Sequence, residues 1–121
     1  MTLFKLGTFT LHSGDRSNWK IDCDALVDND YRALAFMIKE RFQFGAVFGI
    51  PENGTILAHH LARYVTEGPT LIVDDVLTTG TSMEHMKKNI HIMQGEDVIG
   101  VVIFSRGKCP DWVVPLFQYS W

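Results

Sequence analysis

Residues 70–82, reading TLIVDDVLTTGTS, leave this chain few folds to adopt. Leu71, Ile72 and Val73 form an apolar run rich in β-branched residues, which predicts a buried strand. Asp74 and Asp75 follow, so the strand would deliver paired acids at its C-terminal end, where open α/β sheets bind ligands. Next comes a loop of small residues, Thr78, Thr79, Gly80, Thr81 and Ser82. It runs into Met83, Met86, Ile90 and Met93, spaced for one face of a helix. The order is strand, acid pair, loop, helix.

Each part has a chemical use. A helix N-terminus offers unpaired N–H groups and positive partial charge, glycine lets the backbone approach closely, and hydroxyls add donors. Residues 78–82 can therefore cradle a phosphate monoester. Asp74 and Asp75 can accept hydrogen bonds from two vicinal hydroxyls of the same ligand, which describes a ribose 5-phosphate. Taken separately, the halves have plainer uses: the acid pair could hold Mg²⁺, and TTGTS could simply cap a helix.

Residues 71–82, LIVDDVLTTGTS, resemble the signature of type I phosphoribosyltransferases. Residues 9–22 (FTLHSGDRSNWKID) and 48–58 (FGIPENGTILA) are similar to the orotate phosphoribosyltransferases, and the likeness covers most of the chain. The resemblance implies that Asp74 and Asp75 bind ribose hydroxyls and that Thr78, Thr79, Gly80, Thr81 and Ser82 bind the 5-phosphate of phosphoribosyl pyrophosphate. It assigns Gly49, Ile50, Pro51, Glu52, Asn53 and Gly54 to the pyrophosphate, and makes Mg²⁺, carried by that pyrophosphate, the expected cofactor. Asp75, His12 and Arg106 form the implied catalytic set. His12 stands where the family has a lysine, and Arg106 where the orotate enzymes have an arginine near the base carboxylate. From its own surroundings His12 also reads as an exposed turn residue, and Arg106 as a surface arginine. The ligand would be phosphoribosyl pyrophosphate or a nucleoside 5-monophosphate, and a homodimer is expected. Two departures stand out. Glu52 and Asn53 occupy a loop that normally carries a basic residue, and only residues 66–69 stand where the family inserts two strands and a mobile lid.

The rest of the chain fits an α/β reading. At 121 residues it is expected to be one domain, 1–121, and 46% hydrophobic with 21% charged residues argues against a disordered chain. A net charge of -3, with no local lysine or arginine cluster, argues against nucleic acid as a partner. Cys23 and Cys109 are far apart and lack a metal-ligand pattern, which points to a reduced, cytoplasmic setting. The N-terminal residues lack a signal-peptide pattern, and no apolar run approaches the ~18 residues of a membrane span.

Residues 3–21 read as a hairpin or two short edge strands around the turn cluster SGDRSN. A helix is expected over 28–42 with Asp28 as N-cap and Tyr31, Leu34, Ala35, Ile38 and Phe42 on one face. A second helix follows the GIPENG loop, its apolar side made by Ile56, Leu57, Leu61, Ala62 and Val65, and Gly95 is the expected C-cap of the third. Parallel strands are expected near 46–50, 71–75, 98–104 and 112–118, the last an edge strand because Pro115 cannot donate to a central ladder. Tyr119 and Trp121 cap the core or face a second subunit. Helices should cover both faces, beneath a short N-terminal cover. His59 and His60, adjacent on a helix, point about 100° apart and cannot share a metal. Neither cysteine has a neighbouring base in sequence. Two functions compete: a reduced phosphoribosyltransferase of the orotate type, and a non-catalytic protein that keeps the phosphoribosyl site as a sensor or docking module.

Overall fold

The computed structural model describes residues 3–10, 16–94 and 97–119, with side chains for all of these except 16–19, 91–94 and 119. In chain order the elements are β1 (Phe4–Thr10), β2 (Arg16–Ile21), α1 (Asp28–Arg41), β3 (Ala46–Gly49), α2 (Asn53–Leu61), β4 (Thr70–Leu77), α3 (Thr81–Gln94), β5 (Val98–Arg106) and β6 (Val113–Tyr119). Single 3₁₀ turns lie at Cys23–Ala25 and Ala62–Tyr64.

The apolar runs build one parallel sheet in the order β3-β4-β5-β6, with Val47 paired to Leu71, Leu71 to Ile99, and Val101 to Val114. Strands buried on both faces read as continuous apolar runs, and β4 and β5 do so. Successive side chains alternate between faces. Leu71, Val73, Val101 and Ile103 meet α1 and α2 through Leu34, Ile38, Leu57 and Leu61. Ile72 and Val102 meet α3 through Met83 and Ile90. Helices α1 and α2 thus cover one face and α3 the other, as expected.

This layout has an uncommon consequence. The crossovers β3-α2-β4 and β4-α3-β5 step across the sheet in the same direction, yet their helices lie on opposite faces. They therefore have opposite hands, and one is left-handed against a strong general preference. The connection from α2 into β4 is correspondingly short. It is stitched to the turn before β3, with Thr66 N–H donating to Phe44 O at 2.9 Å and Gly45 N–H to Pro69 O at 3.0 Å. Gly45 and Gly68 permit this contact: a Cβ on Gly45 would lie 2.8 Å from Gly68 O.

At the other edge, residues 107–112 return without a helix and β6 pairs parallel to β5. Gly100 makes room for that return, since a Cβ there would meet Met83 Cε and Trp112 Cζ3, both at 2.8 Å. Trp112 is fastened over α3, its Nε1–H donating to Glu84 Oε1 at 2.6 Å and the Lys87 ammonium lying 4.7 Å from its ring centroid.

Strands β1 and β2 form a separate antiparallel hairpin with a register shift between Leu6 and Phe9. Asp22 N–H donates to Leu3 O, and Leu3, Ile21 and Leu26 pack against the first core cluster. The Lys5 ammonium pairs with Asp22 and, chiefly through that hydrogen bond, holds its carboxyl below the usual range.

Several boundaries differ from the sequence reading. Val27 is the N-cap of α1, with Asp28 already inside the helix. The Asp30 carboxylate three residues on accepts the Val27 N–H at 2.9 Å, so it is the acid at the third helical position that caps. Phe42 is the C-cap. Ile56 and Val65 are exposed, and Val65 lies beyond α2. Strand β4 spans Thr70–Leu77, so it runs two residues past the acid pair that the 71–75 reading placed at its end. Met86 is half-buried against the second cluster; the side chain of Met93 lies outside the description.

Candidate active site

The acids at the end of β4 owe their place to two glycines. The loop after β3 folds back on itself, and a Cβ on Gly49 would overlap the carbonyl of Gly54. A Cβ on Gly54 would in turn lie 2.7 Å from Val73 O and 3.1 Å from the Cα of Asp74. Only glycine lets the start of α2 lie this close to β4, which brings residues 49–54 beside the acid pair. The Ile50 N–H donates to Val73 O at 2.9 Å, and the peptide joining Pro51 to Glu52 is cis.

Asp74 is buried, and its Oδ1 accepts the N–H of Asp75 at 2.8 Å. Burial, and then the neighbouring Asp75, push its pKa up to about 8, so Asp74 holds its proton at neutral pH. Asp75 is half-buried. Its Oδ1 accepts Val76 N–H at 2.7 Å and its Oδ2 accepts from Asn53 Nδ2 at 3.0 Å. The same Asn53 nitrogen donates to Asp24 Oδ1 at 3.2 Å.

Residues 78–80 then carry the chain from β4 to α3. Gly80 takes φ +82°, a left-handed conformation suited to glycine, and its carbonyl accepts Glu84 N–H at 2.9 Å, the first helical bond of α3. The Thr79 and Thr81 hydroxyls bond each other at 3.0 Å. N–H groups at the start of α3 and the hydroxyls of residues 78–82 thus gather at one helix end.

These pieces face one cleft of about 1020 Å³ at the C-terminal ends of β3, β4 and β5. It opens where the chain leaving β3 turns to one face and the chain leaving β4 to the other, which is the place α/β sheets reserve for ligands. Of the residues singled out from the sequence, the cleft brings together Ile50, Pro51, Glu52, Asn53, Asp74, Asp75, Thr78, Thr79, Gly80, Thr81, Ser82 and Arg106. Gly49 and Gly54 stand behind it as spacers. His12 lies outside the described residues.

Arg106 closes β5 and is half-buried, its pKa lowered by desolvation. The turn beyond it is fixed by Ser105 Oγ–H and Gln118 Nε2–H, both donating to Gly107 O. Sequence reasoning missed Lys20, Cys23 and Asp24, which line the cleft from the hairpin side. Burial, with the nearby aspartates, raises the Cys23 thiol far above its usual range. Among the described residues no group of three or more His, Cys, Asp or Glu side chains could hold a metal ion. His60 stacks on Tyr31 and bonds Asp28 through Nε2 at 3.0 Å.

Comparison with solved structures identifies the architecture. Over 96% of its length the chain superposes on 88% of the orotate phosphoribosyltransferase from Aeropyrum pernix, with a TM-score of 0.74 and 25% identity. The fold is that of the type I phosphoribosyltransferases, of the orotate kind. Leishmania donovani UMP synthase contains the same phosphoribosyltransferase fold (TM-score 0.69, 18% identity), and the chain spans about a third of it, 33%, while 96% of this chain is covered. Purine phosphoribosyltransferase from Pyrococcus horikoshii matches over 77% of this chain and 82% of its own (TM-score 0.57, 19% identity). No protein-family model and no curated protein matches the sequence. Among the described residues no helix of this phosphoribosyltransferase fold is long and apolar enough to cross a membrane.

Proposed function

We propose that the cleft binds a phosphoribosyl compound, phosphoribosyl pyrophosphate or a nucleoside 5-monophosphate, and that the chain is a reduced phosphoribosyltransferase of the orotate type. The observation that carries this reading is the acid pair on β4 beside the start of α3, both lining one cleft. In it Asp74 and Asp75 take the ribose hydroxyls, and Thr78, Thr79, Gly80, Thr81 and Ser82 the 5-phosphate. Backbone groups of residues 49–54 take the pyrophosphate, and Arg106, with His12, the base. The guanidinium suits a carboxylate-bearing base because it offers a planar pair of donors.

Mg²⁺ fits the donor set as a passenger of the substrate. The ion usually binds through one or two carboxylates plus substrate phosphates, and Glu52 lines the cleft to serve it. It would neutralise charge on the departing pyrophosphate. The protein's own part is to fix the ribose through Asp75 and to hold the 5-phosphate while the bond to the pyrophosphate breaks through an oxocarbenium-like transition state. A cytoplasmic setting and a homodimer complete the reading.

A purely binding role is favoured by one arrangement. Asn53, where the family places a basic residue, spends its amide donors on two carboxylates, so it offers the pyrophosphate neither charge nor a side-chain donor. Losing one preorganised donor costs roughly a hundredfold to a thousandfold in rate. The expected result is measurable binding with slow transfer: pyrophosphate release with orotate and Mg²⁺ well under about 1 per second, the lower end of common turnover. Gly80→Val is the control. Faster turnover would establish an ordinary enzyme. Binding is tested by Asp75→Asn, which should weaken ribose 5-phosphate about tenfold or more and inorganic phosphate far less. Equal losses would overturn the ribose assignment.

A further inference from the structure

We propose that Asn53 is a positioning residue for Asp75, and that the bridge from Asp24 through Asn53 to Asp75 makes the cleft select ribosyl over 2-deoxyribosyl phosphates. The proposal rests on the reading of the cleft as a phosphoribosyl site and adds a residue with a separate task.

A primary amide has two N–H donors. Those of Asn53 are both committed, one to Asp75 Oδ2 at 3.0 Å and the other to Asp24 Oδ1 at 3.2 Å. Asp75 is thereby held at both oxygens, since Oδ1 accepts Val76 N–H at 2.7 Å, and its own N–H is tied to Asp74 Oδ1 at 2.8 Å. An ionised carboxylate has about four acceptor sites. Two are used to fix the group, and two remain for ligand hydroxyls.

The bridge joins three separate segments: the turn Cys23–Ala25, the start of α2, and the end of β4. Asp24 is itself anchored, its N–H donating to Asp22 Oδ1 at 3.1 Å. Asn53 is neutral, and it stands between two acids that would otherwise repel across the cleft wall. A basic residue here would bind one acid and offer charge to a phosphate. The asparagine instead uses its donors on the protein.

A carboxylate fixed at both oxygens can read a pair of vicinal hydroxyls, because both acceptor sites are aimed before the ligand arrives. Freed to rotate, it satisfies one hydroxyl and a water nearly as well, and the 2-hydroxyl then contributes little. Discrimination between ribose 5-phosphate and 2-deoxyribose 5-phosphate is therefore the property the bridge controls. Both ligands carry the same charge, so their affinity ratio cancels any general electrostatic change made by a mutation.

The experiment is calorimetric titration of the full chain and its Asn53→Ala and Asn53→Asp variants with ribose 5-phosphate, 2-deoxyribose 5-phosphate and inorganic phosphate. Asn53→Asp keeps the side-chain shape but replaces the donors with a third carboxyl group, and the ratio between two equally charged ligands discounts the added charge. The native chain should prefer the ribosyl ligand, and both variants should lose about tenfold of that preference, as expected when a charge-assisted hydrogen bond loses alignment. A native-like circular-dichroism spectrum and a single cooperative unfolding transition verify that Asn53→Ala is folded. Asp24→Ala, which releases one end of the bridge, should lose a smaller part of the preference. An unchanged ratio in the Asn53 variants, with the native chain discriminating, overturns the positioning role and leaves the phosphoribosyl reading intact. A native chain that binds inorganic phosphate but does not distinguish the two sugars overturns the ribose assignment, and the positioning role falls with it.

Discussion

Asp74 shows how a single buried acid ties ligand chemistry to stability. With its pKa pushed from 3.8 to about 8, the folded chain holds a proton that the unfolded chain releases across that interval. Stability from this group is complete below pH 3.8 and is lost as pH rises through about 8, because in that window the folded state binds more protons than the unfolded one. Asp74→Asn, which cannot ionise, should flatten the fall in thermal midpoint between those two values. A difference curve between variant and native chain that shows no slope there would mean Asp74 ionises normally. The residues were unequally legible. Asp74 and Asp75 were readable because strand, acids and small-residue loop are contiguous. Asp24 was not, since its link to Asp75 runs through Asn53 and joins segments that only folding brings together.

At the level of elements, the unit β3-loop-α2 depends on contact between backbones. Gly54→Ala would set a Cβ 2.7 Å from Val73 O, a backbone atom that cannot rotate away. The expected cost is about 1–3 kcal/mol, as for other overpacking changes, and it should appear as a lowered denaturation midpoint together with weaker ribose binding. Gly80 is different. A Cβ there would find nothing nearer than Pro110 Cγ at 3.6 Å, so the cost of a substitution lies in φ +82° and in the phosphate's approach. The types and order of the elements of the sheet followed from apolar runs and helical spacing. Their ends did not: β4 runs on past the acids because Val76 and Leu77 still pair with Phe104 and Ser105 on β5, and pairing is a property of the neighbour. The start of α1 was misplaced for a similar reason, since Asp28 and Asp30 both suit a helix start and only the geometry chooses Asp30 as the capping acid.

For the molecule as a whole, the cleft and the shortened connection lie at opposite ends of the sheet. Residues 66–69 enter β4 at its N-terminal end, whereas the acids and the phosphate loop sit at its C-terminal end. The cleft is bordered instead by Thr10, Lys20, Ile21, Cys23 and Asp24. The opposite hands of the two crossovers follow from where the sheet ends. Place one more strand outside β3, and α2 would step away from β4 toward it, giving both crossovers the same hand. Pairing β3 directly with β4 is therefore what fixes the mixed hands, and a sheet extended by one strand beyond β3 would be free of them.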